Sequence, residues 1–133
     1  MTYYLDIDIC IFVLRHNAPS LKKRLQMLSP DRLKIPAIVK AELLLGARKS
    51  GHPKQIGQTV EAFVAPFEIV SFSDACASTC ANLRYDLEKR GQVIGPNDLL
   101  IAATVLANKG TLITHNTKEY GRIDSLQLED WTS

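Results

Sequence analysis

Gly95-Pro96-Asn97-Asp98-Leu99-Leu100-Ile101-Ala102-Ala103-Thr104 is the stretch on which the reading of this chain turns. Gly-Pro punctuates a turn, and proline suits the first position of a helix, where its missing N–H leaves nothing unpaired. The helix that follows carries Asp98 in its first turn. At helical spacing Asp98 shares a face with Ile101, Ala102 and Val105, a stripe expected to face the core. Burying an ionised carboxylate without a partner costs several kcal/mol, on the order of a domain's whole stability margin. Either Asp98 complements the helix N-terminus, worth roughly 0.3–1 kcal/mol, or it belongs to a site that supplies positive charge.

Two more acids stand out of place. Pro36 opens a predicted helix running to about Lys49, in which Glu42 lines up with Ile38, Ala41 and Leu45. Lys40 is the only other charged residue between Ile35 and Ala47, so this helix is expected to be buried nearly all round. A structural salt bridge is the alternative role for Glu42. Asp6 ends an apolar strand, Thr2 to Leu5, within Leu5-Asp6-Ile7-Asp8-Ile9, and Asp8 reads as the cap of the next helix.

The chain of 133 residues is expected to form one domain, with the 46% hydrophobic and 23% charged content of an ordinary globular protein. Its opening, Met1-Thr2-Tyr3-Tyr4-Leu5-Asp6, lacks signal-peptide features, and no apolar run approaches the roughly 18–20 residues of a membrane span. A cytoplasmic location without a membrane partner is the expectation. Three cysteines, Cys10, Cys76 and Cys80, are an odd number and read as reduced thiols. Cys76 and Cys80 fall one helical turn apart, a spacing that suits small core residues better than a soft-metal clamp. Net charge is only +2, but gathering Asp6, Asp8, Glu42 and Asp98 into one site leaves sixteen bases facing ten acids elsewhere. A basic rim around an acidic pocket suits a polyanion held over cations.

Further helices are predicted from Ile9 to Leu14, from Pro19 through Leu28, over Lys54–Val64, and from Asp74 to Arg90 with Ser73 as N-cap and Gly91 as stop. Gly110 is expected to end the helix that Pro96 opens. Strands are predicted at Leu33–Ile35, Phe67–Val70, Thr111–Thr114 and Leu126–Leu128. Strands alternating with helices predict an α/β domain with a mostly parallel sheet, whose ligands bind beyond the carboxyl ends of the strands. Asp6 and Thr114-His115-Asn116 end strands, and Asn97-Asp98 opens a helix at that same edge. Clustered carboxylates repel unless protonated or neutralised by a hard cation, and oxygen ligands without a His or Cys cluster favour Mg²⁺ or Mn²⁺ over zinc. Such a site is suited to phosphodiester hydrolysis.

These residues resemble the PIN-domain family, and within it the VapC toxins of VapBC toxin–antitoxin modules. The resemblance runs almost end to end, through Leu5-Asp6-Ile7-Asp8-Ile9-Cys10-Ile11-Phe12, Ala41-Glu42-Leu43, Gly46-Ala47-Arg48-Lys49-Ser50, the Gly95–Ala103 stretch, Thr114-His115-Asn116-Thr117-Lys118-Glu119-Tyr120 and Leu128-Glu129-Asp130-Trp131. It implies a three-layer α/β/α fold and an acidic triad of Asp6, Glu42 and Asp98 binding Mg²⁺ or Mn²⁺. The implied activity is endoribonuclease cleavage of RNA, with tRNA, and the initiator tRNA anticodon region in particular, as leading substrate, inhibiting translation. The implied partners are a second copy of the chain, in a homodimer, and a VapB-like antitoxin, in a hetero-oligomer that meets operator DNA only through the antitoxin. Asp8, Asn97, Thr114, His115 and Asn116 are the expected supporting or substrate-binding residues.

Two positions depart from the family pattern. Relatives usually read Asp-Thr-Asn where this chain has Asp6-Ile7-Asp8, and many place a fourth acid where it has Asn116. These departures keep a second reading, a PIN-like module that binds RNA or a partner without cutting it. Asp6-Ile7-Asp8 after a strand also resembles the first motif of haloacid-dehalogenase-like phosphatases. Those enzymes need a later pair of acids where Asn97-Asp98 offers one. His115, unusual at its position, reads as a phosphate contact or as a solvent-facing loop residue.

Overall fold

A computed structural model of the chain describes residues 1–16 and 18–132. Its strands are β1 (Tyr3–Leu5), β2 (Leu33–Pro36), β3 (Glu68–Val70), β4 (Thr111–Ile113) and β5 (Gln127–Glu129). They form one sheet in the order β3-β2-β1-β4-β5, with every neighbouring pair parallel. The helices are α1 (Ile7–His16), α2 (Pro19–Gln26), α3 (Ala37–Arg48), α4 (Pro53–Val64), α5 (Asp74–Lys89), α6 (Pro96–Ala107) and α7 (Thr117–Tyr120). The layers are helix, sheet, helix, because parallel neighbours need crossovers that lay helices over both faces.

Parallel strands covered on both faces need apolar residues at consecutive positions, and Leu5, Ile35, Leu112 and Ile113 are all fully buried. Ile101, Ala102 and Val105 of α6 join them, as the stripe running from Asp98 predicts. Ser73 caps α5 by accepting the Cys76 N–H, and Gly91 stops it in the left-handed region at φ 68°. Among the described residues no helix is long and apolar enough to cross a membrane.

Three expectations need correction. The helix α3 is not buried all round: Val39, Leu43 and Ala47 face the core, while Ala41 is exposed and Leu45 is 51% exposed. Lack of charge alone did not distinguish a covered face from an open apolar one. Helix α6 ends at Ala107, and it is Lys109, not Gly110, that takes the left-handed conformation, at φ 57°. Gly110 is required for another reason: a Cβ there would lie 2.3 Å from Cε1 of Tyr4, so the β4 entrance packs directly on that ring. Finally, α7 was not anticipated; a single turn carries too little periodicity to be read from sequence.

The connections run from β1 outward through β2 to β3, then return across to β4 and β5 on the other side of β1. Strand order therefore reverses between β1 and β4, and the crevice beyond their carboxyl ends is where an open parallel sheet binds ligands.

Candidate active site

Asp6 leaves the end of β1 and is 2% exposed. One carboxylate oxygen, Oδ1, accepts the Ile7 N–H at 2.8 Å, and Oδ2 accepts the Thr114 hydroxyl, from the end of β4, at 2.7 Å. The first turn of α1 brings in Asp8, whose Oδ1 accepts the Ile9 N–H at 2.8 Å and whose Oδ2 accepts the His115 N–H at 3.0 Å. Because α1 already begins at Ile7, Asp8 stands inside its first turn rather than at the expected cap position, and it ties the β4–α7 loop to the helix. Thr114 Oγ1 in turn accepts the Asn116 N–H at 3.0 Å. Neighbouring parallel strands present their carboxyl ends side by side, so residues more than a hundred positions apart in sequence meet here.

Asp98 enters from the first turn of α6. The Tyr120 hydroxyl lies between it and Asp6, 3.1 Å from Asp98 Oδ1 and 3.3 Å from Asp6 Oδ1. Glu119, the residue before Tyr120, accepts the Gly95 N–H at 2.8 Å and the Asn116 side-chain amide at 3.2 Å. A Cβ placed on Gly95 would touch both Asp98 Oδ2 and Glu119 Oε1, at 3.5 and 3.7 Å, so these two carboxylates flank the same turn. Glu42 stands further out. Its charge is felt at Asp98, and its side chain lines a groove of about 190 Å³ between α1, α3 and α4, with Arg15, Ser50, Ile56 and Thr59. Asn97 is exposed in the first turn of α6, outside this hydrogen-bonded network.

Electrostatics sets the site apart. Burial, and then the charges of Asp8 and Asp98, push the Asp6 carboxyl up to about 7, against the donors Thr114 and Ile7. Burial also raises Asp8 and Asp98, the latter with help from Glu119 and Glu42. Glu119 is lowered, chiefly by the Gly95 N–H. Among the described residues none of the ion pairs involves Asp6, Asp8, Glu42 or Asp98. The salt bridge considered for Glu42 is therefore not formed. Converging carboxylates without a cationic side chain leave a deficit of positive charge, and their all-oxygen donor set fits a hard divalent cation. They do not form a closed cage: among the described residues no three His, Cys, Asp or Glu side chains stand close enough to hold one ion. Cys10, Cys76 and Cys80 are free thiols, with Cys10 and Cys76 buried.

Sequence reasoning missed Glu119 and Tyr120. Attention to Asn116 as the place of a missing fourth acid overlooked an acid three residues on. An asparagine before Thr-Lys-Glu is a helix-start pattern, and one helical turn carries Glu119 back beside Asn116.

The family model described as "PIN domain" matches residues 3–126. The chain is 39% identical over 132 residues to "Ribonuclease VapC2" of Rickettsia felis, covering 98% of each sequence. It is 30% identical over 132 residues to the "tRNA(fMet)-specific endonuclease VapC" of Shigella flexneri, covering 99% of each. Among solved structures, VapBC2 from Rickettsia felis bound to a DNA fragment from its promoter contains a chain that superposes with a TM-score of 0.94 at 38% identity, over 98% of this chain and 99% of that one.

Proposed function

The chain belongs to the PIN-domain family and, within it, to the VapC ribonucleases, and on that premise we propose that it is a toxin cutting tRNA with Mg²⁺ or Mn²⁺ bound between Asp6 and Asp98, with Glu42 drawn in to complete the set as the ion binds. Family membership sets aside the phosphatase reading. The observation that carries the proposal is the convergence of Asp6, Asp8, Asp98 and Glu119 at the sheet's switch point without a cationic partner. When bound, a divalent cation neutralises these carboxylates and polarises a phosphodiester oxygen.

The chain's own residues prepare that site. Thr114, Ile7 N–H and Tyr120 orient Asp6, while Tyr120 also aims Asp98. Glu119 stands beside Asp98 as the fourth acid, which weakens the case for a module that binds without cutting. Initiator tRNA is the leading substrate because the relative from Shigella flexneri is named for tRNA(fMet).

The partners in this reading are a second copy of the chain and a VapB-like antitoxin, with operator DNA bound only through the latter. The exposed apolar residues Phe12, Leu45 and Ile56 suit such contacts, and Ile56 lines the same groove as Glu42.

The test incubates antitoxin-free protein with a total tRNA pool and Mg²⁺ or Mn²⁺. Discrete fragments are expected from the wild type, and none with EDTA or with Asp98→Ala. Intact RNA across a wider panel, from folded and metal-loaded protein, overturns the enzyme in favour of a binding module.

A further inference from the structure

We propose that Arg122 is a positioning residue for the acidic centre: together with Glu119 it forms a two-point clamp that fixes the turn before α6, and so Asp98, against α7, and so Tyr120. The inference rests on the cation site proposed above and adds to it a residue outside the carboxylate cluster.

Asp98 and Tyr120 arrive on helices that no strand pairing registers with each other, since α6 precedes β4 and α7 follows it. On one side, Gly95 accepts the Leu99 N–H at 2.9 Å through its carbonyl, so the place of Gly95 sets the first turn of α6 and Asp98 within it. On the other, the Arg122 N–H donates to the Glu119 carbonyl at 3.1 Å and the Ile123 N–H to that of Tyr120 at 3.0 Å, which makes Arg122 continuous with the turn carrying Tyr120. Two bonds from α7 and its end then cross to the α5–α6 connection. Glu119 Oε1 accepts the Gly95 N–H at 2.8 Å, and Arg122 Nη1 donates to the Val93 carbonyl at 2.7 Å. A third runs the opposite way: Arg90 Nη2 donates to the Arg122 carbonyl at 2.7 Å, while Asp86 and Gln92 hold the Arg90 guanidinium.

One hydrogen bond between two segments is a pivot. Two bonds, made from Glu119 and Arg122 to Gly95 and Val93, fix orientation as well as distance. Orientation matters here because the Tyr120 hydroxyl stands at the long end of hydrogen-bonding distance from both Asp98 and Asp6. A displacement of about 0.5 Å at that oxygen decides whether it orients the two carboxylates. A guanidinium suits the task, being planar, rich in donors and permanently charged. Exposed bonds to carbonyls add little to stability, so the consequence of this clamp is aim. The competing role is ordinary stapling of a loop. The Arg122 charge has an effect of its own, adding to the Gly95 N–H and the Asn116 amide in lowering Glu119.

The experiment measures Mn²⁺ affinity of the antitoxin-free protein by calorimetry, with melting temperature recorded alongside. Arg122→Ala is expected to weaken Mn²⁺ binding about 10-fold, as loss of a group that orients metal ligands does. In a Tyr120→Phe background the same substitution is expected to cost less than about 2-fold, because Arg122 acts through that hydroxyl. The 10-fold loss is expected to persist in about 0.5 M salt, which screens the guanidinium's charge and leaves its bond. In metal-free protein, Arg122→Ala is expected to speed hydrogen exchange of the Gly95 amide about fivefold, the equivalent of one hydrogen bond. Arg90→Ala, which removes the bond to the Arg122 carbonyl, is expected to weaken Mn²⁺ binding in the same direction and keeps the test open should Arg122→Ala not fold. Unaltered affinity overturns the proposal, as does an equal loss in both backgrounds. A loss that vanishes in salt assigns Arg122 to charge alone, and a lowered melting temperature with full affinity assigns it to stapling; either overturns the clamp. Should the folded wild type bind no Mn²⁺, the cation-site reading itself falls, a result separable from wild type and Arg122→Ala binding alike.

Discussion

The hydroxyl of Tyr120 lies 3.1 Å from Oδ1 of Asp98, and the same hydroxyl is 3.3 Å from Oδ1 of Asp6. A phenol has one proton to donate, so two carboxylates compete for one donor at the centre of the site. Burial first, and then the two acids, push the Tyr120 hydroxyl well above its ordinary range, so it stays a donor. Tyr120→Phe preserves the ring, which is fully buried, and removes only this donor. We expect Mn²⁺ affinity to fall about 10- to 100-fold, the usual consequence of losing a group that orients a metal ligand. Isothermal titration calorimetry on the antitoxin-free protein measures this directly. Unaltered affinity would show that the hydroxyl only fills hydrogen-bonding capacity.

The raised carboxyl of Asp6 makes stability depend on pH. Its folded value of about 7 lies above the unfolded value, so the native state binds the extra proton. The associated stability is fully present below pH 4 and lost as pH rises through 7, amounting to on the order of 4 kcal/mol. Urea denaturation of metal-free protein should show this decline, and Asp6→Asn should flatten it. Saturating Mn²⁺ should offset the loss at pH 8, because a cation binds the ionised native site.

Glu119 combines two duties that substitution can separate. Glu119→Gln keeps an oxygen for the Gly95 N–H but removes a charge that raises Asp98. Cleavage at limiting Mn²⁺ is expected to drop at least about 10-fold, with recovery at high Mn²⁺ and little change in stability. Glu119→Ala also leaves the Gly95 N–H without its acceptor, which should cost a further ~1 kcal/mol in urea titration. Equal activity of Glu119→Gln and wild type at limiting metal would confine Glu119 to holding the Gly95 turn.

Much of this molecule was legible in the chain because the signals are local. Apolar runs predict β1, β2 and β4; Pro96, Ser73 and Gly91 mark helix ends; and Asp6 and Asp98 stand where an apolar pattern breaks. The parallel sheet follows from alternation of the elements. These features depend on neighbours a few residues away, which a linear reading sees. The exposure of Leu45 does not, since an uncharged helix face looks the same whether or not another element covers it.

The site's working parts belong to the tertiary structure. The sequence determined which acids are available and that they fall at strand ends and helix starts. Tyr120 reaching Asp6 across 114 positions, Glu119 meeting Gly95 across 24 and His115 meeting Asp130 across 15 were decided by packing. The Tyr120–Asp6 and His115–Asp130 contacts form only once β1, β4 and β5 lie side by side, the Glu119–Gly95 contact only once α7 meets the start of α6, and no local propensity encodes a bond between segments that packing brings together. The pKa of Asp6 follows the same logic: an aspartate's sequence neighbours specify its helix start, but burial and the charges folded around it set its proton affinity.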